Sequence, residues 1–424
     1  MQTPAMHRRA LLMGLAAATP GRALAGARAK PLPWPSSQGL LDRYVAEGRV
    51  PGAVLAVSGE DARPIFLSAG RLDFGGAPVG PDSLFRIYSM TKPVTGVAAM
   101  QLIEEGQLGL DQPLAEILPG FGEMKLLSGV RAAAPIRIRD LLTHTAGFSY
   151  HINSGALAGL YAAWGLKPGT RQRVGLAGEK APPRDLEEFG ERLARLPLEF
   201  DPGTRFQYSL GLDLMGLVIQ RAAGKPFWQV LQERIFAPLG MADTDFVVPA
   251  AKIHRLTALY AAGPTGLALA DPASAASPFA RDRDLPSGGG GLVSSARDYA
   301  RFCAMLLNDG ELDGVRIMRT ATARLARSNL MAPGLACGLT GGANGFGAGM
   351  QVVAPGIAPL GSEPPGSFGW SGQAGTTMWV DPVNKFHAVQ MIQYLPGGAY
   401  PIYGEVRQAV YRDLAGQGRV ASAL

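Results

Sequence analysis

Leu84-Phe85-Arg86-Ile87-Tyr88-Ser89-Met90-Thr91-Lys92-Pro93-Val94 is the stretch on which the reading of this chain turns. It passes from a short apolar run into a strong helical pattern, expected over Val94–Glu105 and stopped by Gly106. Ser89 and Lys92 stand three positions apart, so at a helix start they share one face with their side chains adjacent. A serine hydroxyl is a poor nucleophile until a neighbouring base takes its proton. A lysine serves as that base where burial or nearby positive charge lowers its pKa. Val94, Val97 and Ala98 supply an apolar setting for it. A helix N-terminus also turns a backbone N–H and the positive end of its dipole towards a developing oxyanion. Pro93 is compatible with that start, because a first-turn residue has no intrahelical acceptor for its N–H. The plainer alternative is a capping serine followed by a lysine in solvent.

Two further stretches weigh on that choice. Gly203-Thr204-Arg205-Phe206-Gln207-Tyr208-Ser209-Leu210 sets a tyrosine just ahead of a helix expected over Leu210–Ala223. A phenol beside a lysine can share proton transfer with it; as structure alone, such a tyrosine packs the core. Gly369-Trp370-Ser371-Gly372-Gln373-Ala374-Gly375-Thr376 precedes a strand. Its small residues let a substrate lie along the sheet edge, and a backbone N–H there is a second oxyanion donor. As structure alone it is a glycine-rich turn with a core tryptophan. Other machinery is missing. Gly-X-Ser-X-Gly is absent, and none of the five histidines forms His-Glu-X-X-His. Neither a Walker loop nor a dinucleotide-binding glycine turn is present. No metal or organic cofactor is implied.

Outward from these stretches, strand patterns stand at Gly52–Ser58, Pro64–Gly70, Ala348–Val353, Thr376–Val380 and Phe386–Ile392. Helical patterns stand at Leu40–Glu47, Ile138–Leu142, Leu186–Leu196, Phe227–Phe236, Ala296–Leu307 and Val406–Leu414. Strands gather at both ends and helices fill the middle. The expected class is α+β, an antiparallel sheet flanked by helices with an inserted, mainly helical domain. The expected boundaries are 30–84 and 288–424 for the sheet domain and 85–287 for the helical one, with the site at their interface. Residues 30–40 read as a linker.

The chain has 424 residues, 47% of them hydrophobic, and a formal net charge of +6. The basic residues are scattered and form no run interleaved with aromatics, which excludes a nucleic-acid partner. His7-Arg8-Arg9, an apolar run over Ala10–Ala18, and small residues near Ala25 and Ala29 have the order of a signal peptide over 1–29. The paired arginines suggest the twin-arginine route to the periplasm. That run is too short to span a bilayer, so no stable membrane insertion is expected after processing. Cys303 and Cys337 are in no metal-spaced pair and read first as two buried, free thiols, with a disulfide between them as the alternative in an oxidising compartment.

Taken together, Ser89-Met90-Thr91-Lys92, then Tyr208-Ser209-Leu210, then Trp370-Ser371-Gly372 resemble, in order and spacing, the three motifs of class C β-lactamase-like serine hydrolases. Leu141–Gly147, Phe236–Thr244 and Gly290–Ser295 are similar to that family as well, and the likeness runs over about residues 38 to 415. The resemblance implies the serine β-lactamase and penicillin-binding-protein fold. It implies Ser89 as acylated nucleophile, Lys92 and Tyr208 as the proton-transfer pair, and the N–H groups of Ser89 and Gln373 as the oxyanion hole. Leu210, Trp370, Gly372 and Gln373 would contact substrate. Two positions depart from many lactamases and carboxypeptidases. Leu210 stands where they carry an asparagine, and Trp370 where they carry lysine or histidine. Exchanging an amide and a cation for apolar groups favours neutral, hydrophobic acyl substrates. That combination looks like the family VIII carboxylesterases, and implies a small-molecule ester or amide substrate, first of all a short-chain ester. A β-lactamase or D-amino-acid peptidase on the same scaffold is the alternative. A catalytically retired relative that binds cell-wall peptide or a partner is the reading from another class. The oligomeric state is not read from the sequence.

Overall fold

Along Gly52–Ser58, successive side chains enter different cores. Ala53, Leu55 and Val57 join one buried cluster, while Val54 and Ala56 join another. This two-residue alternation is what a strand buried on both faces requires. The computed structural model describes residues 34–58, 63–169, 177–263, 266–281, 285–338, 344–355 and 363–420. The expected signal peptide therefore lies outside the described residues, as does most of the turn after Ser58.

The strand is second in a seven-stranded antiparallel sheet. From one edge the order is Pro64–Gly70, Gly52–Ser58, Phe386–Met391, Thr377–Asp381, Phe368–Ser371, Gln351–Val352 and Gly345–Phe346. Val54 pairs with Met391, and Trp370 with Met378. Helices Pro35–Ala46 and Ile402–Gly416 cover one face, where Leu41, Tyr44, Val406 and Val410 pack on Leu55, Val57 and Trp379. The other face meets helix Ala296–Leu307 and, beyond it, the Thr91–Glu104 helix. The latter is buried at every position from Thr91 to Leu102, the mark of a helix inside a core. A Cβ on its Gly96 would lie 2.1 Å from the Ala348 carbonyl oxygen, so a glycine is needed where the two backbones meet.

Several expected boundaries move. The first helix begins at Pro35, inside the stretch read as a linker. Proline suits a first helical position, and the Asp413 carboxylate accepts the N–H groups of Ser36 and Ser37 at 2.9 and 2.8 Å. The central helix begins at Thr91 rather than Val94, with Pro93 in its first turn. The helix from Leu186 ends at Leu193, and the one from Phe227 changes at Gln232 to a wider turn. Of the run Ala348–Val353 only Gln351–Val352 is strand, because Gly349 takes φ +74° to close a bend. Helices Ala156–Ala163 and Thr320–Ala326 and the hairpin of Leu259–Gly263 with Gly266–Asp271 were not expected. Cys303 and Cys337 lie in separate core clusters, and no disulfide joins them.

Candidate active site

Strand Leu84–Arg86 pairs with Val293–Ser295 and delivers the chain to Tyr88. Tyr88 takes φ +43°, a left-handed conformation that non-glycine residues seldom adopt. The kink opens a single tight turn, Tyr88–Met90, that runs straight into the Thr91–Glu104 helix. Ser89 sits in this turn. The 369–376 segment comes alongside, with room only for glycine at Gly372: a Cβ there would meet Thr376 Oγ1 at 2.2 Å and the Ile87 carbonyl oxygen at 2.3 Å. The Tyr403 hydroxyl holds the same segment by donating to Gly372 O at 2.7 Å.

Ser89, Lys92 and Tyr208 meet. Ser89 Oγ is 2.6 Å from the Tyr208 hydroxyl, and Lys92 Nζ donates to Ser89 Oγ at 3.3 Å. Lys92 is fully buried, which rules out the solvent-facing lysine. Its shorter bond runs to the Gly289 carbonyl, at 2.6 Å. The ammonium also lies over the rings of Tyr208 and Tyr150, 4.6 and 5.2 Å from their centroids, where an aromatic face attracts a cation. Tyr208 is held on several sides. Tyr150 stacks on it at 5.4 Å and 8°, the His144 ring lies 4.7 Å away, and Asn153 Nδ2 donates to its carbonyl at 2.8 Å. His144 Nδ1 accepts the Ser209 N–H at 3.2 Å, which leaves its proton on Nε2. Burial, and then the Lys92 charge, push the His144 pKa far down, so the ring is neutral.

Ser89 opens on a cavity of about 290 Å³ lined also by Tyr150, His151, Ile152, Phe279 and Gln373. His151 is held neutral as well, its pKa pushed down to about 4 by burial and by the Lys167 and Lys92 charges. The backbone N–H groups of Ser89 and Gln373 donate to no acceptor among the described residues. Trp370 is not in the cavity wall. It flanks Tyr208 on the other side, 5.8 Å between centroids, and stands edge-on to Phe346 at 5.1 Å. Leu210, expected to contact substrate, is a correction. It is fully buried in the main core, because the residue before helix Gly211–Ala223 points into the packing of that helix.

Sequence reasoning missed Tyr150, His151 and Asp213. Asp213 Oδ1 accepts the Gly289 N–H at 3.1 Å and the Ser287 hydroxyl, and its Oδ2 accepts the Tyr150 hydroxyl at 3.3 Å. One signal was available: Asp213 is the lone charge in Gly211-Leu212-Asp213-Leu214-Met215-Gly216-Leu217-Val218-Ile219, and a carboxylate inside an apolar helix is seldom buried without partners.

A family model described as Beta-lactamase matches residues 38–410. Protein Rv1367c of Mycobacterium tuberculosis is 34% identical over 76% of this chain and 80% of its own length. Esterase EstB of Burkholderia gladioli is 34% identical over 62% of this chain and 67% of its own. Among solved structures, EstCE1, described as a hydrolase with promiscuous acyltransferase activity, superposes with a TM-score of 0.76 at 29% identity. That match covers 89% of this chain and 98% of the other.

Proposed function

Because the chain belongs to the beta-lactamase family of hydrolases, we propose that it is a serine carboxylesterase working through an acyl-enzyme on Ser89. The observation that carries this is the meeting of Ser89 Oγ with Tyr208 Oη at 2.6 Å and with Lys92 Nζ at 3.3 Å. In the first step Ser89 Oγ bonds to the ester carbonyl carbon, and its proton passes to the Tyr208–Lys92 pair, which enters the step with one of its two groups deprotonated. The carbonyl oxygen, now negative, takes hydrogen bonds from the N–H groups of Ser89 and Gln373. The C–O bond to the alcohol breaks, and the pair returns the proton to the leaving oxygen. Water repeats the sequence on the acyl-enzyme and releases the acid.

Short, neutral esters are the substrates we favour. A cavity of about 290 Å³ is at the lower end of the range that takes drug-sized ligands. Trp370, beside Tyr208, puts an apolar ring and no positive charge next to the proton-transfer pair. The names of two similar proteins, an esterase and a hydrolase, agree with this reading.

The test sets p-nitrophenyl acyl esters beside nitrocefin and a D-Ala-D-Ala peptide, with a fluorophosphonate as active-site label. Short esters should be turned over fastest, and mass spectrometry should find the adduct on Ser89. Ser89→Ala should remove turnover of every substrate and leave the melting temperature unchanged. An adduct on Ser209 or Ser371, or an active mutant, would overturn the mechanism. Faster turnover of nitrocefin or of the peptide would overturn the substrate class.

A further inference from the structure

We propose that Asp213 is a positioning residue for this site: its carboxylate, seated under the Ser287–Gly290 turn, holds Lys92 Nζ in place through Gly289 and sets a negative charge one residue away from that amine. The proposal rests on the reading of Ser89, Lys92 and Tyr208 given above.

The connection is short. Gly289 N–H donates to Asp213 Oδ1 at 3.1 Å, and the carbonyl of the same residue accepts from Lys92 Nζ at 2.6 Å. One residue thus hands the carboxylate at its N–H end to the ammonium at its C=O end. A Cβ there would lie 2.3 Å from Asp213 Oδ2 and would displace the carboxylate. A Cβ on Gly288 would lie 2.5 Å from the Leu212 carbonyl oxygen. The glycine run at 288–291 therefore lets a turn sit directly on the helix that carries Asp213.

Asp213 is almost wholly buried, and three donors point at it: the Ser287 hydroxyl, the Gly289 N–H and the Tyr150 hydroxyl. A set made only of donors suits the ionised carboxylate, which accepts and cannot donate. Burial raises its pKa, and the Lys92 charge, first among the opposing influences, pulls it back. Lys92 bonds to Ser89 Oγ and Gly289 O, and among the described residues it makes no ion pair with a carboxylate. Among the described residues, the ionisable groups around it are Asp213 on helix Gly211–Ala223, Tyr208 on the loop before that helix, and His144, Tyr150 and His151 on the 144–151 segment. Both histidines are neutral, so Asp213 is the negative charge in that ring.

The test uses the rate of fluorophosphonate labelling of Ser89 as a function of pH, which reads acylation without assuming a substrate. Asp213→Asn keeps the shape and removes the charge. An ammonium deprived of a neighbouring negative charge loses its proton more easily, so the acid limb of the profile should move to lower pH by about one pH unit. Loss of geometry alone would lower the rate at every pH and leave the limb in place, and that result overturns the proposal. A wild-type chain that the reagent never labels overturns the reading of Ser89, and this proposal with it. Should Asp213→Asn not fold, Lys92→Met gives the reciprocal measurement. Without the cation the Asp213 pKa rises further above its unfolded value, and a carboxyl raised on folding loses stability as pH climbs towards its folded pKa. The melting temperature of Lys92→Met should then fall more steeply than wild type as pH rises above the ordinary carboxylate range, and parallel curves would overturn the proposal.

Discussion

Arg86 and Lys92 stand six residues apart on one continuous stretch, and both are fully buried. Arg86 touches its counter-charge. Its Nε meets Asp271 Oδ2 at 2.5 Å, and its other nitrogens reach the Thr257 and Pro272 carbonyls, Gln393 Oε1 and Ser277 Oγ. Among the described residues Lys92 touches no carboxylate; Asp213 is held one residue away, behind Gly289. An arginine with a carboxylate in contact and its donors occupied is a fixed cation, and its guanidinium keeps its proton in proteins. Lys92, by contrast, has a hydroxyl and a carbonyl as its acceptors. The same stretch thus carries an anchor and, six residues on, the proposed working group, and the placement of the carboxylate makes the difference.

The comparison is tested hardest at the working group. Lys92→Ala and Tyr208→Phe should each lower kcat by about 10²–10⁴-fold, the range for a lost acid–base group. The double mutant should lose little more than either single one, because residues serving one proton transfer are strongly non-additive. Steady-state rates on the best ester decide this, and losses that multiply would mean that the two act apart. At the anchor the effect should fall on stability. Arg86→Met strands Asp271 as an unpaired buried charge, which costs about 3–5 kcal/mol. Urea denaturation should read that loss, and Arg86→Met with Asp271→Asn should recover part of it. A single mutant as stable as wild type would break the contrast between the two cations. The smallest effect is expected at Trp370, which borders the working group and contributes no charge. Trp370→Lys should lower kcat/KM for neutral short esters by roughly ten-fold, for an apolar contact of about 1–3 kcal/mol, and should raise β-lactam turnover relative to esters. A folded mutant with the wild-type ratio would show that Trp370 does not set selectivity. Parallel melts guard against a packing loss, since the indole also contacts Phe346.

The site was legible in the sequence where its parts are local or follow a familiar order. Ser89 and Lys92 are one helical turn apart, so their adjacency is a property of the backbone. Helix Ala296–Leu307 and strands Gly52–Ser58 and Pro64–Gly70 have the expected limits, since apolar periodicity and turn residues bound them. Leu210 was misread because neighbours in a motif need not point the same way: Tyr208 faces Ser89, and two residues later the chain has turned its side chain into the core. The Pro35 start of the first helix was hidden because its capping carboxylate comes from Asp413, 376 positions beyond Ser37.

By itself, the sequence determined that Ser89 and Lys92 are neighbours, because helix geometry follows from backbone sterics and hydrogen bonding alone. It also determined the alternating strands, whose two-residue repeat is a property of extended chain. Only the tertiary structure decided that Tyr208, 119 positions away, lies against Ser89. It alone decided that Asp271 touches Arg86 while Asp213 stops one residue short of Lys92. Those distances come from packing between segments remote in sequence, where close contact of side chains, and of glycine backbones in particular, sets the charge environment that no local pattern encodes.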